Sequence, residues 1–176
     1  MLKSTYKQYP ISYKHLTNTM PRHQYKRRQP DADPVYNSYE VAKLINYLMI
    51  DGKKSVAQAI VYKTLENLQK EDNDALITLN KAIANVTPDR EVRPRRLGGA
   101  SYLVPTEVRT ERKLHLALNW ILDAARSRSN KEFHSFDDKL TSEIIEAAKN
   151  QGQAVAKKQQ TEKLADQNKA FSHLKW

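Results

Sequence analysis

Pro94 and Pro105 stand on either side of the Gly98-Gly99 pair in the stretch EVRPRRLGGASYLVPTEVRT, residues 91–110. The stretch alternates like two short strands, yet neither proline can donate to a ladder, and prolines in strands are confined to edges. Two strands that each carry a proline do not sit inside a wider sheet. The segment therefore predicts a two-stranded β-ribbon over residues 91–109 that turns at Gly98-Gly99 and projects from something helical.

The rest of the chain supplies the helices. Val41, Leu44, Ile45, Leu48 and Met49 recur at i, i+3, i+4, i+7 and i+8, one face of a helix. Ser38 is the expected N-cap and Gly52 the expected stop. Ser55 with Gln58 reads as a capping box for a second helix, which carries Ala57, Ile60, Val61, Leu65 and Leu68. Asp74 caps a third with Leu76, Leu79, Ile83 and Val86, and Pro88 follows its end. After the ribbon, Thr110 caps a fourth helix bearing Leu114, Ala117, Leu118, Ile121, Leu122 and Ala125. Ser135 with Asp138 starts a fifth bearing Leu140, Ile144, Ala147 and Ala148, up to Gly152. A sixth runs from about Val155 to Phe171 with a thin stripe of Leu164, Ala165 and Phe171, so it is either loosely docked or completed by a partner. The expected fold is mainly α, a six-helix bundle with a protruding two-stranded ribbon between helices three and four.

Charge divides the chain. Lys3, Lys7, Lys14, Arg22, Lys26, Arg27 and Arg28 fall within residues 1–30, which hold no Asp or Glu, and they supply most of a net charge of +10. That segment has little aliphatic content and no period. Residues 1–34 read as a basic tail that orders only on binding, residues 35–171 as the helical domain, and residues 172–176 as a C-terminal tail. A charge of this size points to a polyanionic partner or an acidic membrane face. The absence of cysteine excludes disulfides, thiolate zinc sites and cysteine nucleophiles. No apolar run reaches the roughly 20 residues of a membrane span.

Few motifs suggest chemistry. Gly52-Lys53-Lys54-Ser55 resembles the tail of a phosphate loop, but the first glycine would fall at Tyr47 and a helix precedes it in place of a strand. Lys53 and Lys54 are either solvated lysines or phosphate contacts at a helix N-terminus. His15, His23, His115, His134 and His173 are scattered without metal-ligand spacing. Asp137-Asp138 reads as an acidic first helical turn. No serine or threonine has a base and an orienting acid, so neither catalysis nor a cofactor is expected. The ribbon is more informative. Every basic residue from Arg90 to Arg112 is arginine, whose planar fork suits phosphates and base edges. With alternating faces, Val92, Pro94 and Arg96 share one side and Arg93, Arg95 and Leu97 the other. Valines lie at the root, arginines nearer the tip, and Tyr102 adds a stacking surface. Charges also block edge pairing, but lysine or glutamate would serve there equally well, and the choice of arginine favours nucleic acid.

These residues carry a resemblance. Met20-Pro-Arg22, Leu48 to Ser55, Ile60-Val61-Tyr62, Val92 to Gly99, Tyr102, Val104 to Arg109, Trp120, Ala124-Ala125-Arg126 and Asn168 to His173 with Trp176 resemble the small-subunit ribosomal protein S seven family, in its bacterial or organellar form. The resemblance covers residues 20–176. It implies a structural protein that binds the 3′ major domain of small-subunit rRNA, nucleates assembly of the subunit head, and lies at the subunit interface near exit-site tRNA and the mRNA path. The rRNA contacts it implies are Arg22, Lys26, Arg27, Arg28, Lys53, Lys54, Arg93, Arg95, Arg96, Arg109, Arg112 and Lys113. Arg95, Arg96 and Tyr102 are placed near tRNA. Lys169, His173, Lys175 and Trp176 are placed near mRNA or a neighbour, ribosomal protein S eleven among other head proteins. No membrane and no homo-oligomer are implied, and the cytoplasmic ribosome is favoured over an organellar one. Glu111 and Asn119 stand where the family commonly has basic residues. Residues 1–19 have no counterpart in the usual bacterial form. An upstream start is the first expectation for them, an RNA-binding extension the second, and a transit peptide the third.

On physics alone, an architectural DNA-binding protein with a basic β-arm competes with this reading. Such proteins usually dimerise through a wide apolar surface, whereas these helices can close on one another. A ribonuclease needs a general base, and no candidate presents itself.

Overall fold

The fold, taken from a computed structural model, is described for residues 30–71 and 74–174. Among them the order is α1 (Tyr39–Leu48), α2 (Lys54–Glu71), α3 (Ala75–Val86), β1 (Arg90–Leu97), β2 (Ala100–Glu107), α4 (Thr110–Ser127), α5 (Phe136–Ala148) and α6 (Gln153–Gln167), followed by a 3-10 helix at Lys169–Leu174. The helical class and the ribbon between the third and fourth helices are as the sequence predicts.

α5 is the hub, packing against α2, α3 and α4. The periodic apolar residues become the core: Leu44, Ile45, Val61, Leu65, Leu68, Leu79, Val86, Leu118, Ile121, Leu122, Leu140 and Ile144 are all buried. Ile60, Leu76, Met49 and Leu114 only half-bury against that core. The body begins before residue 35. Asp33 is 3% exposed; its carboxylate accepts the Tyr62 hydroxyl at 2.8 Å and the backbone N–H groups of Val35 and Tyr36 at 3.1 Å.

Helix ends differ from the sequence reading at several points. α1 stops at Leu48, and Gly52, at φ 72°, turns the chain three residues past the Met49 cap. Ser55 is not a cap: α2 begins at Lys54, and the Lys53 carbonyl accepts the first helical bond from Ala57 N–H. Thr110 is the first residue of α4, with Arg109 at the cap position. α5 ends at Ala148, and Gly152, at φ 91°, instead opens α6. The cap residues Ser38 and Asp74 hold, accepting from Val41 and Ile77 N–H at 3.4 Å. Ser135 occupies the cap position of α5 but makes no side-chain cap bond; its hydroxyl donates to Asp138 Oδ2 at 2.7 Å instead.

Two-residue hairpin loops favour the turn in which both central residues have positive φ. Gly98 and Gly99, at φ 55° and 89°, meet that requirement. The register pairs Leu97 with Ala100, Arg95 with Tyr102, Arg93 with Val104 and Glu91 with Thr106. In a hairpin of this loop length the pair flanking the turn is hydrogen-bonded and the pairs alternate from there. Pro94 and Pro105 thus fall in the other set, with their nitrogens turned outward, where a third strand would need donors.

The sixth helix departs most from its sequence reading. It runs from Gln153 to Gln167, Leu164 is 39% exposed, and its buried residues are Ala154, Val155 and Ala165. Much of its attachment is polar. Glu143 accepts Ala154 N–H at 3.1 Å, Lys158 donates to the Asn85 carbonyl at 3.0 Å, and Glu162 accepts Asp89 N–H at 3.2 Å. α6 packs on β1, and the 3-10 helix packs on β2. Because no residue of the 3-10 helix is buried, its amides are expected to exchange much faster than those of α4 in the free protein, by hydrogen exchange with mass spectrometry. Equal protection of the two would mean that the segment belongs to the core.

Candidate nucleic-acid interface

The two faces of the ribbon differ. Glu91, Arg93 and Arg95 share one face with Tyr102, Val104 and Thr106, and this face turns inward: Glu91 and Val104 are buried, Arg95 and Tyr102 half-buried. The other face carries Pro94, Arg96, Ser101 and Leu103, all exposed, with Pro105 buried at the root. The arginines therefore do not all point freely from the tip.

Glu91 organises the root. Arg93 Nη2 and Nε donate to its Oε1 at 2.7 and 3.0 Å, and Arg112 Nε of α4 donates to Oε2 at 3.4 Å. One buried carboxylate holds the guanidinium of its strand neighbour Arg93 and that of Arg112, 21 residues further along the chain than Glu91 itself, and aligns β1 with the first turn of α4. Beside it, Lys113 Nζ donates to Asp89 Oδ1 at 2.6 Å. That hydrogen bond, with the charges of Lys113, Lys158 and Arg90, holds the Asp89 carboxyl below its usual range. Arg109, at the α4 cap, is exposed.

The surface continues onto α1, which the sequence did not single out. His115 of α4 meets the Tyr47 ring edge-on, centroids 5.1 Å apart, and Asn119 Nδ2 lies 3.1 Å from both ring nitrogens. Lys43 of α1 sits over Tyr39 at 5.3 Å. Tyr39, Lys43 and Tyr47 form one row at i, i+4 and i+8, facing the Arg112–His115–Asn119 row. Burial, then the charges of Arg112 and Lys43, push the His115 pKa below 6.5. The folded state therefore prefers the neutral ring, while the unfolded chain takes up its proton near pH 6.5. Stability contributed by His115 is intact above that pH and falls as pH drops below it. His115→Gln is expected to flatten the pH dependence of unfolding below pH 6.5, measured by urea titration. An unchanged slope would contradict this placement.

The remaining predicted residues are spread out. Lys53 and Lys54 are exposed at the start of α2, in position for an anion at a helix N-terminus. Lys169 and His173 are exposed on the 3-10 helix, and Phe171 of that helix lies 5.4 Å from Tyr102, ring to ring. The structure thus joins the C-terminal segment to the ribbon. Arg22, Lys26, Arg27, Arg28, Lys175 and Trp176 lie outside the described residues.

Away from these residues the charge is mixed. An open groove between α2 and α5 is lined by Asn67, Lys70, Phe133, Asp138 and Glu146. Asp137 is buried and paired with Lys63 at 2.8 Å, a structural role for a residue the sequence placed in an acidic first turn. Among the described residues no helix is long and apolar enough to cross a membrane, and no group of three His, Asp or Glu is placed to hold a metal.

Residues 20–169 match the family model described as ribosomal protein S7p/S5e. A small ribosomal subunit protein uS7 from Thermoanaerobacter sp. (strain X514) is 50% identical over 159 residues, 89% of this chain and 100% of the relative. Proteins of the same name from Thermosipho africanus (strain TCF52B) and Paramagnetospirillum magneticum (strain ATCC 700264 / AMB-1) are 48% and 46% identical, over 89% and 88% of this chain and 100% and 98% of their own lengths. The chain belongs to the ribosomal protein S7p/S5e family, of bacterial type, a family of structural proteins of the small ribosomal subunit and not of enzymes.

Proposed function

We propose that this protein binds the 3′ major domain of small-subunit rRNA directly, nucleates assembly of the subunit head, and works in the cytoplasmic ribosome at the subunit interface, near exit-site tRNA and the mRNA path. The observation that carries the reading is the continuous basic face of ribbon root, α4 and α1, where Glu91 and Asp89 pre-position Arg93, Arg112 and Lys113. Side chains held in place lose less entropy on meeting a phosphate. Lys53, Lys54 and Arg109 extend the face. Arg22, Lys26, Arg27 and Arg28 act as a clamp, within the basic segment that precedes Asp33 and the helical domain. Arg95, Arg96 and Tyr102 approach tRNA. Lys169, His173, Lys175 and Trp176 approach mRNA or a neighbouring head protein such as ribosomal protein S eleven.

Arg95→Ala/Arg96→Ala tests the ribbon. The fold is expected to remain within about 0.5 kcal/mol, as for surface substitutions generally. The salt slope of RNA binding is expected to fall by about 1.4–1.8, two phosphate contacts. Binding to the rRNA fragment with an unchanged slope would show that these arginines meet no phosphate.

A further inference from the structure

Resting on the RNA-binding reading above, we infer that Tyr102 and Phe171 form one composite aromatic site, flanked by Arg95, Lys169 and His173, that takes an unstacked base of single-stranded RNA. The two rings come from segments far apart in the chain, yet their centroids lie 5.4 Å apart with planes at 51°. This is not a core contact. Both rings are half-buried, and the 3-10 helix that carries Phe171 has no buried residue at all. Both rings thus keep part of their surface in solvent, within reach of a ligand.

The charge around them selects the ligand. Arg95 stands directly opposite Tyr102 in the register and so on the same ribbon face. Lys169 and His173 are exposed two residues either side of Phe171. The Nδ1 of His173 lies 2.9 Å from the Ala170 carbonyl, which turns Nε2 outward. No Asp or Glu occurs between Val92 and Thr106 or from Gln167 to Trp176. The nearest ribbon acids, Glu91 and Glu107, are at the root, and Asp166 faces Arg90 at 3.7 Å. An aromatic surface with cations around it fits a base held between phosphates. It repels a basic protein segment.

The site also makes the ribbon and the C-terminal segment a single functional unit. α6 holds Asp89 through Glu162 and Arg90 at the start of β1 through Asp166, and the 3-10 helix brings Phe171 to β2. Loss of Phe171 therefore removes half of the stacking surface that the ribbon presents.

The test uses the full chain and a fluorescein-labelled 12-nucleotide oligouridylate, with Tyr102→Leu, Phe171→Leu, the double variant and Phe171→Trp. Each leucine variant is expected to bind the oligonucleotide about 5- to 140-fold more weakly, the range for losing one stacked base. The salt slope is expected to stay unchanged, because no charge is removed. The double variant is expected to be no weaker than the weaker single, since one site is lost once, and Phe171→Trp is expected to restore binding. Losses that multiply in the double variant, affinities unchanged in the singles, or failure of tryptophan to rescue would each overturn the composite site. Phe171 is not buried, so Phe171→Leu is expected to unfold like the wild type and keeps the test valid if Tyr102→Leu folds poorly. A parallel titration with the 3′ major domain fragment separates this inference from the broader reading. Wild-type protein that binds oligouridylate with the expected variant pattern but ignores the fragment would leave the composite site standing and remove its ribosomal setting.

Discussion

Arg128→Ala is expected to destabilise the folded protein by about 3–5 kcal/mol, the range for removing one partner of a buried ion pair. Glu143 is 0% exposed and Arg128 14%. Arg128 closes α4 and donates to Glu143 Oε2 through Nε at 2.9 Å and Nη2 at 2.5 Å, to Glu146 Oε2 at 2.5 Å and to Ser142 Oγ at 3.1 Å. The other oxygen of Glu143 accepts Ala154 N–H at the start of α6. One carboxylate thus ties three helices, and without the guanidinium it remains buried and uncompensated. In a chain of this size the loss corresponds to roughly 6–20 °C in Tm. Gly152 belongs to the same joint. A Cβ there would lie 3.0 Å from Glu143 Oε1 and 3.2 Å from Glu146 Oε2, at a φ of 91° that disfavours any side chain. Urea denaturation of Arg128→Ala decides the matter, and a loss under about 1 kcal/mol, the level of an exposed pair, would show that the joint is solvated and marginal. Arg128→Met/Glu143→Leu is expected to recover much of the loss, because the stranded charge is gone.

Deleting residues 1–29 is expected to act on RNA and not on the fold. If Arg22, Lys26, Arg27 and Arg28 each neutralise a phosphate, the salt slope falls by about 3–4, and affinity at physiological salt falls on the order of 10²–10³-fold. Thermal unfolding is expected to stay within about 0.5 kcal/mol of the full chain, provided that the truncation spares Asp33. That carboxylate caps the Val35–Tyr36 turn and holds Tyr62 of α2, so removing it too adds a stability loss unrelated to RNA. A truncated protein that keeps the full slope would show that the tail makes no phosphate contact. A large loss of stability would show that residues before Pro30 belong to the body.

The legible parts of this fold are those written in short-range pattern. Leu44, Ile45 and Leu48, or Leu118, Ile121 and Leu122, announce a helix face within eight residues, and burial follows. Gly98-Gly99 and the two prolines announce a ribbon of two strands and no more. Helix ends were less legible, because Gly52 and Ser55 lie within a turn and a half of each other and either could mark a boundary. The Met49 N–H bond to the Ile45 carbonyl and the Ala57 N–H bond to the Lys53 carbonyl set the two boundaries. What the sequence hid are contacts across long separations. Glu91 looked like one charge among several, and only folding brings Arg112 to it. Glu143 and Arg128 gave no local sign of a buried pair. Lys43 and His115 sit on separate helices, so the sequence offered no reason to join them to the basic face. The helical period of Tyr39, Lys43 and Tyr47 was the one available hint. α6 was underestimated because its attachment is polar, through Lys158, Glu162 and Glu143, and an apolar-stripe reading does not register such contacts.

The central claim is that this basic face recognises one region of the small-subunit rRNA and is not merely attracted to polyanions. The most direct test is binding of the full chain to the isolated 3′ major domain fragment and to a 5′ domain fragment of equal length, at one physiological salt concentration. Non-specific binding of basic proteins typically gives Kd values of about 10⁻⁴–10⁻⁶ M under such conditions. The account predicts binding to the 3′ major domain at least about a hundredfold tighter than to the 5′ domain, a margin of roughly 2.7 kcal/mol. Equal affinity for the two fragments would contradict it.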